Sequence, residues 1–375
     1  MYNTNFKENS IYYISQAYFF NGYYTKNINS YLELNNAEKL IEEIPEYLIE
    51  DPIFSIIIPF TNNSKTLRRT IRSIQNQSFK SYEILFVNDK SSDNSSLIIK
   101  QFSVDDKRFK ILKNKESYGA FFSRVIGMQF SKGKLIYHFD GDDMFAISTA
   151  LENLYNISKT SKVDTIEFNL IYGKIKCYST ILVTVNSKKD RNKIFAGREI
   201  FNKRYLINNK TINRVSQGAI CSKLFTDKIK NRIINYLRAM GLSQYKNWNY
   251  ADDQFFTDLI KLFSDNYLYI DSIYYFYYLN PESLCNKINQ TKLFVDHMKY
   301  FYYFNILTKQ YKLNIDFLIT NVVMFLNMIS NISKNDCIKL YDFIIEIRIN
   351  RTKTTEYWKD NSKLLTNKYK DLCNK

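Results

Sequence analysis

The chain has 375 residues, 45 % of them hydrophobic and 24 % charged, and a net charge of +16; a chain of this size and composition buries a substantial core, which excludes wholesale disorder. Two histidines and five dispersed cysteines exclude a structural zinc site, which needs four nitrogen or sulfur ligands at short spacings, and no C-x-x-C pair is present. The nine glycines never fall at G-x-G spacing, which excludes the dinucleotide fingerprint and the G-x-S-x-G nucleophile elbow.

The charge is uneven. Residues 1–50 hold three lysines against seven glutamates, −4, leaving +20 for the remainder. Lys, Asn, Ile, Tyr and Phe are abundant while Pro and Gly are scarce, a bias that raises lysine everywhere. Most of the charge is therefore read as solvated surface, and no nucleic-acid partner is expected. Odd, scattered cysteines fit a reducing compartment. No opening stretch reads as a signal peptide, and the longest apolar run, Phe317–Ile329, is interrupted and shorter than the ~18 residues that a membrane span needs. A cytoplasmic protein is expected.

In chain order, Leu40, Ile41, Ile44 and Leu48 form a stripe that predicts a helix over 35–49, with Pro45 inside it. From Phe54 the period changes. FSIIIPF (Phe54–Phe60) is a short apolar run, as a buried parallel strand should be. Helical spacing follows over Lys65–Gln77, a strand over Tyr82–Asn88, a helix over Ser92–Phe102 and a short strand over Phe109–Leu112. Then come a helix over Tyr118–Phe130 and a strand over Leu135–Asp140. This alternation predicts a doubly wound, mostly parallel α/β sheet. Further on, the pattern predicts a helix at Ala150–Ser158, a hairpin of Thr165–Tyr172 with Ile175–Val185, and a strand at Gly218–Phe225. A helix at Asp252–Phe263, an aromatic strand at Tyr267–Leu279 and helices from about Ile288 onward complete it.

In an open parallel sheet, ligands bind beyond the carboxyl ends of the strands. Pro59-Phe60-Thr61-Asn62 follows the first strand, Asn88-Asp89-Lys90 the second and Asp140-Gly141-Asp142-Asp143 the fourth. Three carboxylates in four residues repel one another. Hard oxygen donors held this close suit Mg²⁺ or Mn²⁺, which take one or two carboxylates plus substrate phosphate oxygens. Asp252-Asp253 opens a later helix. Alone it is a favourable helix start; beside a metal site either Asp is a candidate general base. His138 and His297 are read as structural, and Trp248 as core packing in preference to an acceptor-sugar platform.

The pieces taken together resemble glycosyltransferase family 2, inverting nucleotide-sugar enzymes of GT-A fold, over Phe54 to about Leu284. SIIIPFTN (Ser55–Asn62) resembles the family's opening strand and turn, and Thr70–Asp93 its S-I-x-x-Q block running into D-D-x-S-x-D. SYGAFFSRVIG (Ser117–Gly127) resembles N-x-G-x-x-x-A-R-N-x-G, and LIYHFDGDDMF (Leu135–Phe145) the strand ending in D-x-D-D. ICSKLFTDKI (Ile220–Ile229), ADDQFF (Ala251–Phe256) and YYFYYLNPESL (Tyr274–Leu284) resemble the acceptor-side segment, the base motif and the closing strand.

The resemblance implies a metal-dependent inverting transferase moving a sugar from a nucleotide-sugar, a UDP-sugar first, to a hydroxyl of a glycan, lipid-linked or protein acceptor. Asp89 would bind the base, the backbone near Pro59 and Thr61 would line its pocket, Arg124 would approach the diphosphate and Asp140 the ribose. Asp142 and Asp143 would hold Mn²⁺ or Mg²⁺, and Asp252 or Asp253 would be the base. Thr61 replaces an aromatic, Asn88 the first acid of the D-D pair, Ser117 and Val125 two asparagines, and Asn280 a frequent histidine. The implied division is a helical segment over 1–51, a GT-A domain over 52–284 and a helical C-terminal domain over 285–375. The basic C-terminal helices leave room for acceptor binding, peripheral membrane contact or a homo-oligomer. The alternative is a catalytically inactive nucleotide- or glycan-binding protein on the same fold.

Overall fold

The apolar runs at Phe54–Phe60 and Tyr82–Asn88 become strands β2 and β3, buried on both faces. The structure, a computed structural model, describes residues 41–43, 51–173, 194–195, 219–241, 246–280, 289–313, 318, 321–322, 325–326, 329 and 333–349. After β2 come α1 (Leu67–Gln75), β3, α2 (Ser95–Ser103), β4 (Phe109–Asn114), α3 (Ala120–Phe130) and β5 (Leu135–His138). β2 pairs in parallel with β3 and β5, and β3 with β4, so β3 and β4 are added on one side of β2 and β5 on the other, and the strand order reverses between β2 and β5. That reversal opens a crevice at the strands' carboxyl ends.

Pro59 is compatible with this central strand because of its register. The β2–β5 ladder ends at Ile57 and His138, with Ile57 accepting from the Phe139 amide. Pro59 lies two residues beyond, on the same side, so its missing N–H falls where pairing has already ceased.

The second half of the sheet is mixed. β9 (Lys223–Thr226) runs antiparallel to both β5 and β7 (Thr165–Gly173), and β7 pairs in parallel with β10 (Tyr267–Tyr278). Two short strands, β6 (Met144–Phe145) and β8 (Ile194–Phe195), pair antiparallel with β10. The proposed strand at Gly218–Phe225 is instead a 3-10 turn at Ile220–Ser222 leading into β9. The partner expected for β7 at Ile175–Val185 lies outside the described residues. The helix expected over 35–49 contains β1 (Ile41–Glu43), an antiparallel partner of β4; edge pairing overrides the local stripe there.

Side chains alternate across the sheet. Ile56, Ile58, Ile84 and Phe86 join one core with α1, α2 and α4 (Ala150–Ser161). Ile57, Leu85 and Val87 join the other with α3, α5 (Asp227–Ala239), α6 (Asp252–Phe263) and the C-terminal helices α7 (Gln290–Tyr311) and α8 (Lys334–Ile349). The C-terminal helices thus share the core of the sheet's second face. No described helix is long and apolar enough to cross a membrane.

Candidate active site

Three adjacent loops leave the carboxyl ends of β2, β3 and β5. Thr66, which precedes α1, and side chains of α1 fix the last of them. Thr66 and Thr70 hydroxyls donate to Gly141 O, Thr70 also to Asp143 O at 2.8 Å, and Arg69 donates to Asp142 O at 2.8 Å while stacking on Tyr278. The DGDD turn is therefore held by its backbone, which frees its side chains for other work.

Those side chains differ sharply. Asp143 is buried; its two oxygens accept from Tyr275 Oη at 2.6 Å and from the Tyr278 amide at 2.7 Å. It ties the turn to β10. Asp142 accepts one bond, from Asn280 Nδ2 at 3.1 Å, and burial together with the neighbouring Asp140 raises its carboxyl above the usual range. A carboxylate kept reluctant to ionise gains most from a cation. Among the described residues no three His, Cys, Asp or Glu side chains form a metal cage. Asp142 with Asp140 nonetheless fits an ion such as Mg²⁺, which takes one or two carboxylates and completes its shell with phosphate oxygens and water.

Arg124, on α3, is buried and anchors the centre of the site. One guanidinium nitrogen meets Asp140 at 2.9 Å; the other meets Asp252 at 3.2 Å and Asp253 at 2.7 Å. Burial disfavours its charge, but Asp253, Asp140 and Asp252 outweigh that, so it stays charged. The expected diphosphate-facing arginine is thus committed to three carboxylates. It joins the β5 turn to the start of α6, where Asp252 lies 128 residues beyond Arg124 itself.

The two acids of α6 are also distinguished. The Asp252 side chain is 10 % exposed and that of Asp253 38 %. Burial, with Asp252 and Asp140 adding and Arg124 opposing, leaves Asp253 pushed up to about 7. Of the pair, Asp253 is the more exposed, with a proton affinity near neutral pH.

Asp89 follows β3 and is nearly saturated. Oδ1 accepts from Asn114 Nδ2 and the Tyr118 amide, and Oδ2 from Ser117 Oγ and the Gly119 amide. A carboxylate offers about four acceptor positions, so Asp89 latches the 114–119 loop. Thr61 Oγ1 donates to Asp89 O at 3.2 Å, and Asn62 takes a left-handed turn that binds the Ser92 amide, so Thr61 and Asp89 frame one end of the crevice. Gly119 has φ 86 and ψ 168, a region essentially reserved for glycine, and a Cβ there would sit 3.4 Å from Asn247 Cα and the Trp248 amide. Gly119→Ala is expected to cost ~1–3 kcal/mol by chemical denaturation.

Trp248 is fully buried among Phe121, Phe255 and Tyr303, which makes it core and not a sugar platform. His138 is enclosed by Phe225 and Phe256, and burial, with Arg124, holds it neutral. His297 binds Leu293 O and stacks on Phe325. Sequence reasoning missed Arg69 and Tyr275. Tyr275 was hidden in a tyrosine-rich strand; its position opposite the DGDD turn is visible only in the β6–β10 pairing.

This arrangement defines a GT-A fold: a switch-point crevice bounded by an aspartate-rich turn, with a second acidic pair reaching it from a helix start. Residues 55–216 match the family model described as Glycosyl transferase family 2. The chain is 30 % identical over 242 residues to the poly(ribitol-phosphate) beta-N-acetylglucosaminyltransferase TarP of Staphylococcus aureus (strain N315), covering 64 % of this chain and 66 % of TarP. It is 33 % identical over 134 residues to the UDP-Glc:alpha-D-GlcNAc-diphosphoundecaprenol beta-1,3-glucosyltransferase WfgD of Escherichia coli, covering 34 % and 51 %. It therefore spans just under two thirds of one relative's length and about half of the other's. The crystal structure of S. aureus TarS 1-349 with UDP-GlcNAc superposes with a TM-score of 0.50 at 13 % identity, over 85 % of this chain and 91 % of that one, a likeness of fold.

Proposed function

We propose that the chain transfers a sugar, with inversion, from a UDP-sugar to an acceptor hydroxyl on a glycan, lipid-linked or protein acceptor, and requires Mn²⁺ or Mg²⁺. The observation that carries this reading is the Arg124 bridge, which fixes Asp253 and Asp140 around one buried cation at the centre of the site. Asp253 takes the proton from the acceptor hydroxyl as that oxygen attacks the anomeric carbon; Asp252, less open, holds Arg124. Pro59, Thr61 and Asp89 frame the nucleotide side. Asp142 and Asp140 would hold the divalent ion, whose chemistry is to neutralise the diphosphate leaving group. The excess of carboxylates over Arg124 would otherwise repel that diphosphate. The name of one relative, WfgD, with its UDP-glucose donor, supports a UDP-sugar.

The test is calorimetric binding and hydrolysis of UDP-, GDP- and dTDP-sugars with Mn²⁺ or with chelator. A UDP-sugar is expected to bind only with metal, with affinity falling on the order of tenfold or more in Asp142→Ala. Asp143→Ala is expected to act mainly on stability, by ~1–3 kcal/mol for each buried donor left unpaired. Failure of every nucleotide sugar to bind would overturn the reading.

A further inference from the structure

We propose that Asp296, on the C-terminal helix α7, is a positioning residue for the catalytic base; this rests on the transferase reading above. Asp296 is 0 % exposed, although it lies in a stretch of the chain with no recognisable motif. Its Oδ2 accepts from the backbone amides of Asn249 at 3.0 Å and Tyr250 at 3.2 Å. These are the residues that lead directly into Ala251, Asp252 and Asp253.

That loop cannot hold itself. Asn247 and Ala251 both have left-handed backbones, at φ 57 and 59, without being glycine. Such conformations persist only where the surroundings impose them. Asp296 supplies one restraint, and its partners supply others. Lys292 Nζ meets Asp296 Oδ1 at 2.7 Å and also donates to Asn247 O, and Lys299 adds a second cation at 3.4 Å. On the other side, the Asn247 amide donates to Tyr118 O at 2.7 Å, within the loop latched by Asp89. The same helix also grips α6 further along, through Tyr300 Oη and buried Asp258 at 2.9 Å.

A continuous run of contacts thus links the nucleotide-side latch, the loop before the base and α7. A buried carboxylate accepting two consecutive amides fixes the direction in which α6 begins, and with it the place of Asp253. The C-terminal helix is on this account part of the catalytic framework and not only an appended module. A displacement of the base by about 1 Å lowers turnover by ~10²-fold without altering donor contacts.

The experiment uses the full chain with a UDP-sugar and Mn²⁺, and reads donor hydrolysis together with amide hydrogen exchange at Asn249 and Tyr250. Asp296→Ala is expected to lower kcat ~10–100-fold, with donor KM changed by less than about threefold, and to speed exchange at both amides. Asp296→Asn keeps an acceptor oxygen and is expected to restore kcat to within about threefold of wild type. Leu340→Ala, a buried change in α8 away from this loop, is expected to lower stability while leaving kcat unchanged. If Asp296→Ala does not fold, Asp296→Glu decides. It keeps the charge but moves the oxygens by a methylene, and a wild-type kcat there would overturn the proposal. So would unchanged exchange in Asp296→Ala, or a kcat loss matched by Leu340→Ala. If the wild type cleaves no nucleotide sugar, it is the transferase reading that fails; amide exchange then still decides whether Asp296 holds the loop.

Discussion

Asp253→Asn is expected to lower kcat by ~10²–10⁴-fold, the usual contribution of a positioned general base, with donor affinity changed by less than about threefold. The amide has nearly the shape of the carboxylate, so the 2.7 Å contact to Arg124 can persist through its oxygen. What is lost is the capacity to take a proton. The pH dependence has a definite sign. A base works deprotonated, and Asp253 is pushed up to about 7 by burial and by Asp252 and Asp140. Wild-type kcat should therefore rise with pH and level off above about pH 7, falling tenfold per unit well below it. In Asp253→Asn that acidic limb should vanish. Steady-state kinetics across the range checks both. Asp252→Asn should act less on kcat, since Asp252 is the more enclosed of the two.

Arg124→Met is expected to destabilise the fold by ~3 kcal/mol. Removing one member of a buried ion cluster costs ~3–5 kcal/mol when the partner is sealed in, and water still reaches Asp140 and Asp253, which places this case at the lower end. Three carboxylates would then face one another without a cation. The carboxyls of Asp252 and Asp253, already raised by burial and relieved of Arg124's opposing charge, would titrate higher still in the folded chain, against a free Asp near ~3.9 in the unfolded one. The folded state would hold the extra protons, so stability conferred at low pH is lost as pH rises through the raised folded values. The deficit against wild type should thus widen from about pH 5 to about pH 8 in urea denaturation. An equal deficit at both would contradict the neutralising role. Turnover at neutral pH should fall as well, because a base without Arg124 nearby stays protonated.

The parallel half of the fold was legible because its strands are short, continuous apolar runs bounded by turn residues. Phe54–Phe60 and Tyr82–Asn88 match their strands to the residue. The helix stripes were equally plain, since Leu67, Ile71 and Ile74 all bury. β6, with two residues, carries too little period to announce a strand, and β9 was announced only within a longer run that opens as a 3-10 turn. β1 owes its state to a partner about seventy residues away, at β4. The helix α5 carries Ile229, Ile233 and Leu237 at helical spacing, all buried.

The acids of the candidate site were legible for a different reason. Carboxylate clusters directly after buried strands are costly unless they are used. Their division of labour was not legible. Asp142 and Asp143 are neighbours in sequence, and only the approach of Tyr275 and Tyr278 turns one inward and leaves the other at the crevice. Asp252 and Asp253 are likewise separated by how α6 meets Arg124. Asp89 kept its place after β3, but its four protein donors come from the loop at 114–119. Asp296 carries no local signal at all, because its meaning depends on a loop 46 and 47 residues upstream.

The measurement that tests the central claim most directly is cleavage of a UDP-sugar with Mn²⁺, followed by mass spectrometry, in wild type and Asp253→Asn, with donor binding measured on both. The account predicts cleavage by the wild type, and binding with turnover reduced at least a hundredfold in the variant, about the lower bound for loss of a general base. Equal cleavage by both proteins would contradict the assignment of the base. Absence of both binding and cleavage in the wild type, across UDP-, GDP- and dTDP-sugars, would contradict the transferase itself.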